Sequence, residues 1–233
     1  MQSRSPSSFL TAPSTPAALR RYLSRVEELG FEGAWTTEQV IGTAPNLDSS
    51  AVLGYAAACT EQIRLGCAVY VSTVASPLHL AKIIASLDQL SRGRLEVGLG
   101  TGGRFRPFAA FGIDGEGFVS RFTEGVRYMQ EAWTQDRINF EGRFWQAKDL
   151  AMEPKPYQKP HPPLWFGGGH PDSLRRAVRL ADGYIGAGST ATADFIAEGW
   201  WSAQLAALRL ACGAPGGLGE VGVAEGMGAG GVD

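Results

Sequence analysis

The sequence predicts an α/β protein built on a parallel sheet, and three observations predict it. From about Ala17 short apolar runs alternate with stretches of helical periodicity. Strands centred near residues 34, 67, 96, 165 and 184 are each followed by a helix, an order that calls for parallel pairing with right-handed crossovers. Two strands run directly into glycine-rich loops, Gly98 to Gly103 and Gly167 to Gly169. A closed barrel and an open doubly wound sheet both satisfy this pattern, and spacing alone does not choose between them.

The elements follow in order. Leu19, Tyr22, Leu23, Val26 and Leu29 fall at helical spacing, and Gly30 is a natural stop. Gly33 to Thr36 is a short strand, and Asp48 can cap a helix from about Ser49 to Thr60. Arg64 to Val71 is a strand rich in branched residues. In the third helix Ser76 is the cap and Pro77 suits the first turn. Leu80, Ile83, Ile84, Leu87 and Leu90 form its buried stripe, with Lys82, Ser86 and Asp88 outward. Arg94 to Gly98 is the next strand. A long helix then carries Phe118, Phe122, Val126, Met129 and Trp133 on one face. After an aromatic stretch through Phe140, Phe144 and Trp145 come a strand at Pro163 to Phe166, a helix at Pro171 to Ala181 and a strand at Gly183 to Gly186.

Composition narrows the function. The 233 residues are 44% hydrophobic and 19% charged, enough for a substantial core. Lys plus Arg total 21 against 23 Asp plus Glu, a balance that predicts no nucleic-acid and no membrane partner. Met1 to Pro16 is rich in serine and proline without the apolar core of a signal peptide, which predicts a cytoplasmic protein. Cys59, Cys67 and Cys212 are widely separated and form no metal-binding spacing, so they read as small buried residues and no metal is expected.

Either architecture places chemistry beyond the C-terminal ends of the strands. Gly167-Gly168-Gly169-His170-Pro171 ends a strand in glycines and opens a helix, and Gly186-Ala187-Gly188-Ser189-Thr190 ends the next strand with hydroxyl donors. Glycines let backbone N–H groups approach an anion, and a helix N-terminus adds positive charge. The same loops also read as tight turns that need glycine for their geometry. Gly98 to Gly103 formally matches a dinucleotide fingerprint, but no helix opens at its last glycine. These glycines suit a flat ring lying against backbone. His79 is placed on an outer helix face and His161 in a loop; His170 either touches a phosphate or simply caps its helix. Glu38, at a strand end beside Trp35, is the candidate catalytic carboxylate, with a solvated loop acid as the other reading.

Several strings in this order resemble one family. Glu28-Leu29-Gly30-Phe31-Glu32-Gly33-Ala34-Trp35 is similar to a helix-to-strand junction of the bacterial luciferase-like flavin and F420 oxidoreductases. The resemblance continues through Ile63 to Val69 and Ser76 to Lys82, is strongest from Leu87 to Leu95 with Val97 to Gly102, and closes with Pro162 to Gly168 and Ala181 to Tyr184. It covers residues from about 17 to 195.

The resemblance implies a TIM-type (β/α) barrel holding FMN or F420 at its C-terminal mouth, with a small organic substrate and NAD(P)H as a reductant. Ala68-Val69 matches the family's non-prolyl cis peptide, Thr101 and Gly102 the ring-side loop, and Gly168, Gly169, Gly188 and Ser189 the phosphate loops, with His170 beside them. Glu38 and Gln39 stand where many F420-dependent members carry Asp-His, and Gly103 and Thr190 where some carry glutamate and lysine. Glutamine is no general acid or base, so flavin reduction or monooxygenation fits better than proton-coupled F420 chemistry. Phe105, Phe108 and Phe111 either wall a substrate pocket or pack under a loop.

The barrel is expected to be incomplete. Only Phe9-Leu10 offers a first strand, residues 1–16 read as poorly structured, 196–212 as a helix, and 213–233 as a disordered glycine-rich tail without the last strands. Open sheet edges call for a covering partner, hence a homodimer. A non-catalytic flavin-binding protein and an unrelated phosphate-binding barrel enzyme are the alternatives.

Overall fold

Side-chain caps and first-turn prolines fix where most of the helices begin, and the short parallel strands between them are largely buried. The computed structural model describes residues 8–9, 15–102, 107–186 and 223–224. They divide into two units, Met1–Leu164 and Trp165–Asp233. In the first, β1 (Ser8–Phe9), β2 (Gly33–Thr36), β3 (Arg64–Val71) and β4 (Leu95–Gly100) pair in parallel in that order. Helices α1 (Pro16–Glu28), α2 (Ser49–Cys59) and α3 (Pro77–Leu90) make the crossovers. Thr15, Asp48 and Ser76 cap them by accepting the backbone N–H three residues on, as the sequence predicts for Asp48 and Ser76. Every residue of β2 and β4 is buried, the pattern of a parallel sheet covered on both faces.

The helix faces differ from their prediction in an instructive way. Leu19, Leu23 and Val26 of α1 are buried, but Tyr22 and Leu29 are exposed. On α3 the buried stripe runs Pro77, Leu80, Ala81, Ile84, Ala85, Leu87 and Asp88, while Leu90 is exposed. Asp88, four residues beyond Ile84, completes the inward face because a partner waits for it. Its Oδ2 accepts the Gln158 backbone N–H at 2.8 Å and its Oδ1 accepts the Gln158 side-chain amide at 2.8 Å. A buried carboxylate is tolerable only when so paired.

A short 3₁₀ turn at Pro107–Phe111 precedes α4 (Phe118–Thr134), which buries Phe122, Val126, Met129 and Trp133 as expected. The aromatic stretch after it is an antiparallel hairpin of β5 (Ile138–Glu141) and β6 (Gln146–Leu150). Most of β6 is exposed, so the apolar periodicity that reveals a strand is missing. The turn is held from outside: the Glu124 carboxylate of α4 accepts the N–H groups of Arg143, Phe144 and Trp145 at 3.0, 2.8 and 2.9 Å.

The second unit contains β7 (Leu164–Gly168, opening at the boundary), α5 (Pro171–Leu180), β8 (Gly183–Gly186) and β9 (Val223–Ala224). Here β8 pairs in parallel with β7 and with β9. Two-residue strands such as β1 and β9 are too short to leave periodicity, which is why a strand inside the glycine-rich 213–233 stretch escapes sequence analysis.

The parallel α/β reading therefore holds in both units. They share one packing device. Trp35 is the register partner of Gly66 on the next strand, and Trp165 that of Gly183. A Cβ on either glycine would run into the indole, so each ring lies flat across backbone.

Candidate cofactor site

Three strand ends meet in the first unit. Strand β2 stops at Thr36, opposite Cys67, and Thr37, Glu38 and Gln39 follow. In β3, Leu65, Gly66 and Cys67 are buried, Ala68 and Val69 are half-exposed, and Tyr70 is buried again. The Ala68-Val69 peptide is cis, at the position the resemblance indicates. The register with β4 shifts between Cys67 and Tyr70, a bulge that turns Val69 outward. Its Cγ2 lies over Gly100, where a Cβ would collide with it. Gly102 has φ 76°, a left-handed conformation that glycine adopts without strain. The result is a low ledge in which Ala68, Val69, Thr101 and Gly102 are half-exposed beside buried Gly100.

Around that ledge the polar atoms are tied down. Ser72 N–H donates to Gly100 O at 3.1 Å and Thr73 Oγ1 to Thr101 O at 2.9 Å. Arg121 of α4 donates from Nε to Thr73 O at 3.2 Å and stacks over Trp145, 4.2 Å from the ring centre. Thr73 and Arg121 were not legible as site residues; the one signal was a charge close to the apolar stripe of α4. Glu38 Oε2 accepts the Val71 N–H at 2.5 Å. Burial raises its pKa and Asp48 adds to that, against the opposing hydrogen bond. Gln39 is engaged within its own loop, its Oε1 accepting from Asn46 at 2.5 Å. Burial also pushes the Cys67 thiol and the Tyr70 phenol well up, so both stay neutral. Cys67 is thus inert packing, as its spacing suggests. Among the described residues no cluster of metal-ligating side chains occurs, and no helix is long and apolar enough to cross a membrane.

The second unit, taken by itself, has a glycine turn from β7 into α5. A Cβ on Gly168 would lie 2.5 Å from Ser173 Oγ, so the close approach requires glycine there. His170 is the N-cap: its Nδ1 accepts from Asp172 N–H at 3.2 Å, and its carbonyl accepts from Ser173 N–H at 2.9 Å. Asp172 adds an acid to the first turn, 3.6 Å from the His170 ring. The N–H groups of Asp172 and Ser173 in the first turn are therefore occupied by His170. Tyr184 closes the underside, its hydroxyl donating to Gly168 O. Gly188 and Ser189, like Phe105, lie outside the described residues.

The first unit is thus a parallel β/α scaffold that brings a cis peptide and glycines together at its strand ends. The sequence model of the luciferase-like monooxygenases matches residues 2–208, and the chain belongs to that family. It is 28% identical over 180 residues to the F420-dependent glucose-6-phosphate dehydrogenase of Amycolatopsis mediterranei, covering 73% of this chain and 53% of that one. It is 30% identical over 179 residues to the FMNH2-dependent dimethylsulfone monooxygenase of Pseudomonas putida, covering 73% and 48%. The crystal structure of monooxygenase RslO1 from Streptomyces bottropensis superposes with a TM-score of 0.70 at 28% identity, covering 79% of this chain and 59% of that one. The chain spans about half the length of these curated relatives.

Proposed function

We propose that the chain binds FMN or F420 and acts as an oxidoreductase or monooxygenase on a small organic substrate. The observation that carries this reading is the ledge of Ala68, Val69, Thr101 and Gly102, half-exposed beside buried Gly100 at strand ends whose preceding residues are buried. A flat tricyclic ring needs such a surface, apolar and free of projecting side chains. The bound ring supplies the redox chemistry, and the protein supplies orientation and exclusion of water.

Within the second unit alone, the glycine turn at Gly168 and Gly169 is proposed to hold an anionic group such as a phosphate, with Gly188 and Ser189 as the further residues the resemblance implies. His170 serves this turn as its cap, because its Nδ1 is spent on Asp172 N–H. With Gln39 held by Asn46 and no histidine at that strand end, FMN is favoured over F420 chemistry that needs a protonating imidazole. NAD(P)H is the proposed reductant and a homodimer the proposed assembly, which sedimentation velocity checks.

Titration of the purified protein with FMN and with F420, followed by NAD(P)H, tests the reading. Saturable binding of one cofactor and its reduction are expected. Failure to bind either overturns the proposal, and binding without any turnover points to a non-catalytic flavoprotein.

A further inference from the structure

The Glu38 carboxylate has an unusual post. Just past β3, Ser72 N–H donates both to Tyr70 O and to Gly100 O on β4, whereas the N–H of Val71 turns to Glu38, which follows β2. Strand β2 has already ended there, at Thr36 opposite Cys67. No backbone carbonyl of β2 is paired at that level, and the Glu38 side chain provides the missing acceptor, Oε2 at 2.5 Å from the Val71 nitrogen. The side chain thus extends the ladder beyond its last backbone rung.

We propose that Glu38 is a positioning residue, which clamps the bulged end of β3 so that Ala68 and Val69 present a fixed face to the cofactor ring. The clamp bears on the far side of the bulge, while Ser72 and Thr73 hold the same segment to Gly100 and Thr101. The ledge is therefore gripped from both sides: by the Ser72 N–H and the Ser72 and Thr73 hydroxyls towards β4, and by the Glu38 carboxylate on the β2 side. The oxygen that accepts the Val71 N–H acts through the geometry of the segment it holds. This inference rests on the proposed cofactor site, so its test has one arm that needs no cofactor.

Wild type, Glu38→Gln and Glu38→Ala are compared as full-length protein. Glutamine keeps a carbonyl oxygen that accepts the Val71 N–H, whereas alanine leaves the donor without it. In the apo protein, amide exchange at Val71 is expected to speed up by about ten-fold or more in E38A and to stay within about three-fold of wild type in E38Q, the scale of one hydrogen bond to a charged group. Exchange at Leu65 and Val97, deeper in the same strands, stays unchanged, which separates a local clamp from general destabilisation. In the cofactor arm, E38A weakens FMN or F420 binding by about ten-fold and blurs the visible circular dichroism of the bound ring, and E38Q restores both. Unchanged Val71 exchange in E38A overturns the clamp. Faster exchange with unaltered affinity and spectrum overturns the link to the ring. A wild type that binds neither cofactor refutes the proposed function instead, while the exchange arm still decides the clamp.

Discussion

Replacing Arg94 by alanine or lysine removes the main fastener of the connection between α2 and β3. Its guanidinium donates to Ser91 O at 2.8 Å, Thr60 Oγ1 at 2.8 Å, Ile63 O at 3.0 Å, Thr60 O at 3.0 Å and Ala57 O at 3.1 Å. Hydrogen bonds to a charged group net about 1.5–3 kcal/mol each, but Arg94 is half-buried and water reaches some of the carbonyls it leaves. A loss of about 3–5 kcal/mol is expected for Arg94→Ala, a large part of a total stability of about 5–15 kcal/mol. Lysine offers three donors on a point charge in place of a planar fork, so Arg94→Lys should recover roughly half. Urea unfolding measures this: with an m value of about 2 kcal/mol/M, the R94A midpoint falls by about 1.5–2.5 M. Cofactor affinity of folded R94K should match wild type, because the extended chain separates Arg94 from Gly100 by roughly 20 Å at 3.3 Å per residue. An R94A midpoint within about 0.5 M of wild type, or R94K as stable as wild type, would refute the reasoning.

Glu27 completes the same connection from the other side, accepting the N–H groups of Glu61, Gln62 and Ile63 at 3.0, 2.6 and 2.9 Å. Burial works to raise its pKa, but those donors and Arg94 outweigh it and hold the carboxyl below its usual range. A depressed folded pKa gives stability that is complete above the unfolded value of about 4.3 and is lost as pH falls through the folded value. Unfolding midpoints between pH 6 and 3 should therefore drop less steeply in Glu27→Gln; parallel curves would contradict the assignment. Gly66→Ala places a Cβ 2.6 Å from Trp35 Cζ3 and should cost about 1–3 kcal/mol, with a shift in tryptophan emission. A melting temperature equal to wild type would show that the indole moves aside freely.

Sequence legibility followed burial. Strand β3 and the start of α3 were readable because branched residues, a serine cap and a first-turn proline act locally. The hairpin was not, because Glu124 reaches its turn from twenty residues away in the chain. At the candidate site the glycines of β4 and the Ala68-Val69 position were legible through resemblance, whereas the Glu38 link to Val71 was not. A side chain that substitutes for a missing strand leaves no periodicity. Asp88 was misplaced for a related cause: polar character puts it outward, and only the tertiary partner Gln158 brings it in.

The stretch with the strongest family resemblance, Leu87 to Leu95, lies at the opposite end of β4 from the ledge, and its polar residues act on structure. Arg92 and Gly93 turn the chain with φ 54° and 80°, Arg94 grips α2, and Asp88 grips Gln158. A motif can therefore identify the family while carrying none of its chemistry. Asp88 makes the point testable, because its environment asks for an acceptor at both oxygens. Gln158 donates its backbone N–H to one and its side-chain amide to the other, and that amide also donates to Leu95 O at 2.8 Å. Asparagine is nearly isosteric but turns one acceptor into a donor that faces a donor. Asp88→Asn should then cost about 2–4 kcal/mol despite filling the same volume, at least as much as Asp88→Ala, since a buried donor left unpaired costs its full desolvation. FMN or F420 affinity of the folded fraction should be unaffected. If D88N unfolds at the wild-type urea midpoint, the carboxylate is not held as an obligate double acceptor, and the structural role assigned to this end of the motif fails.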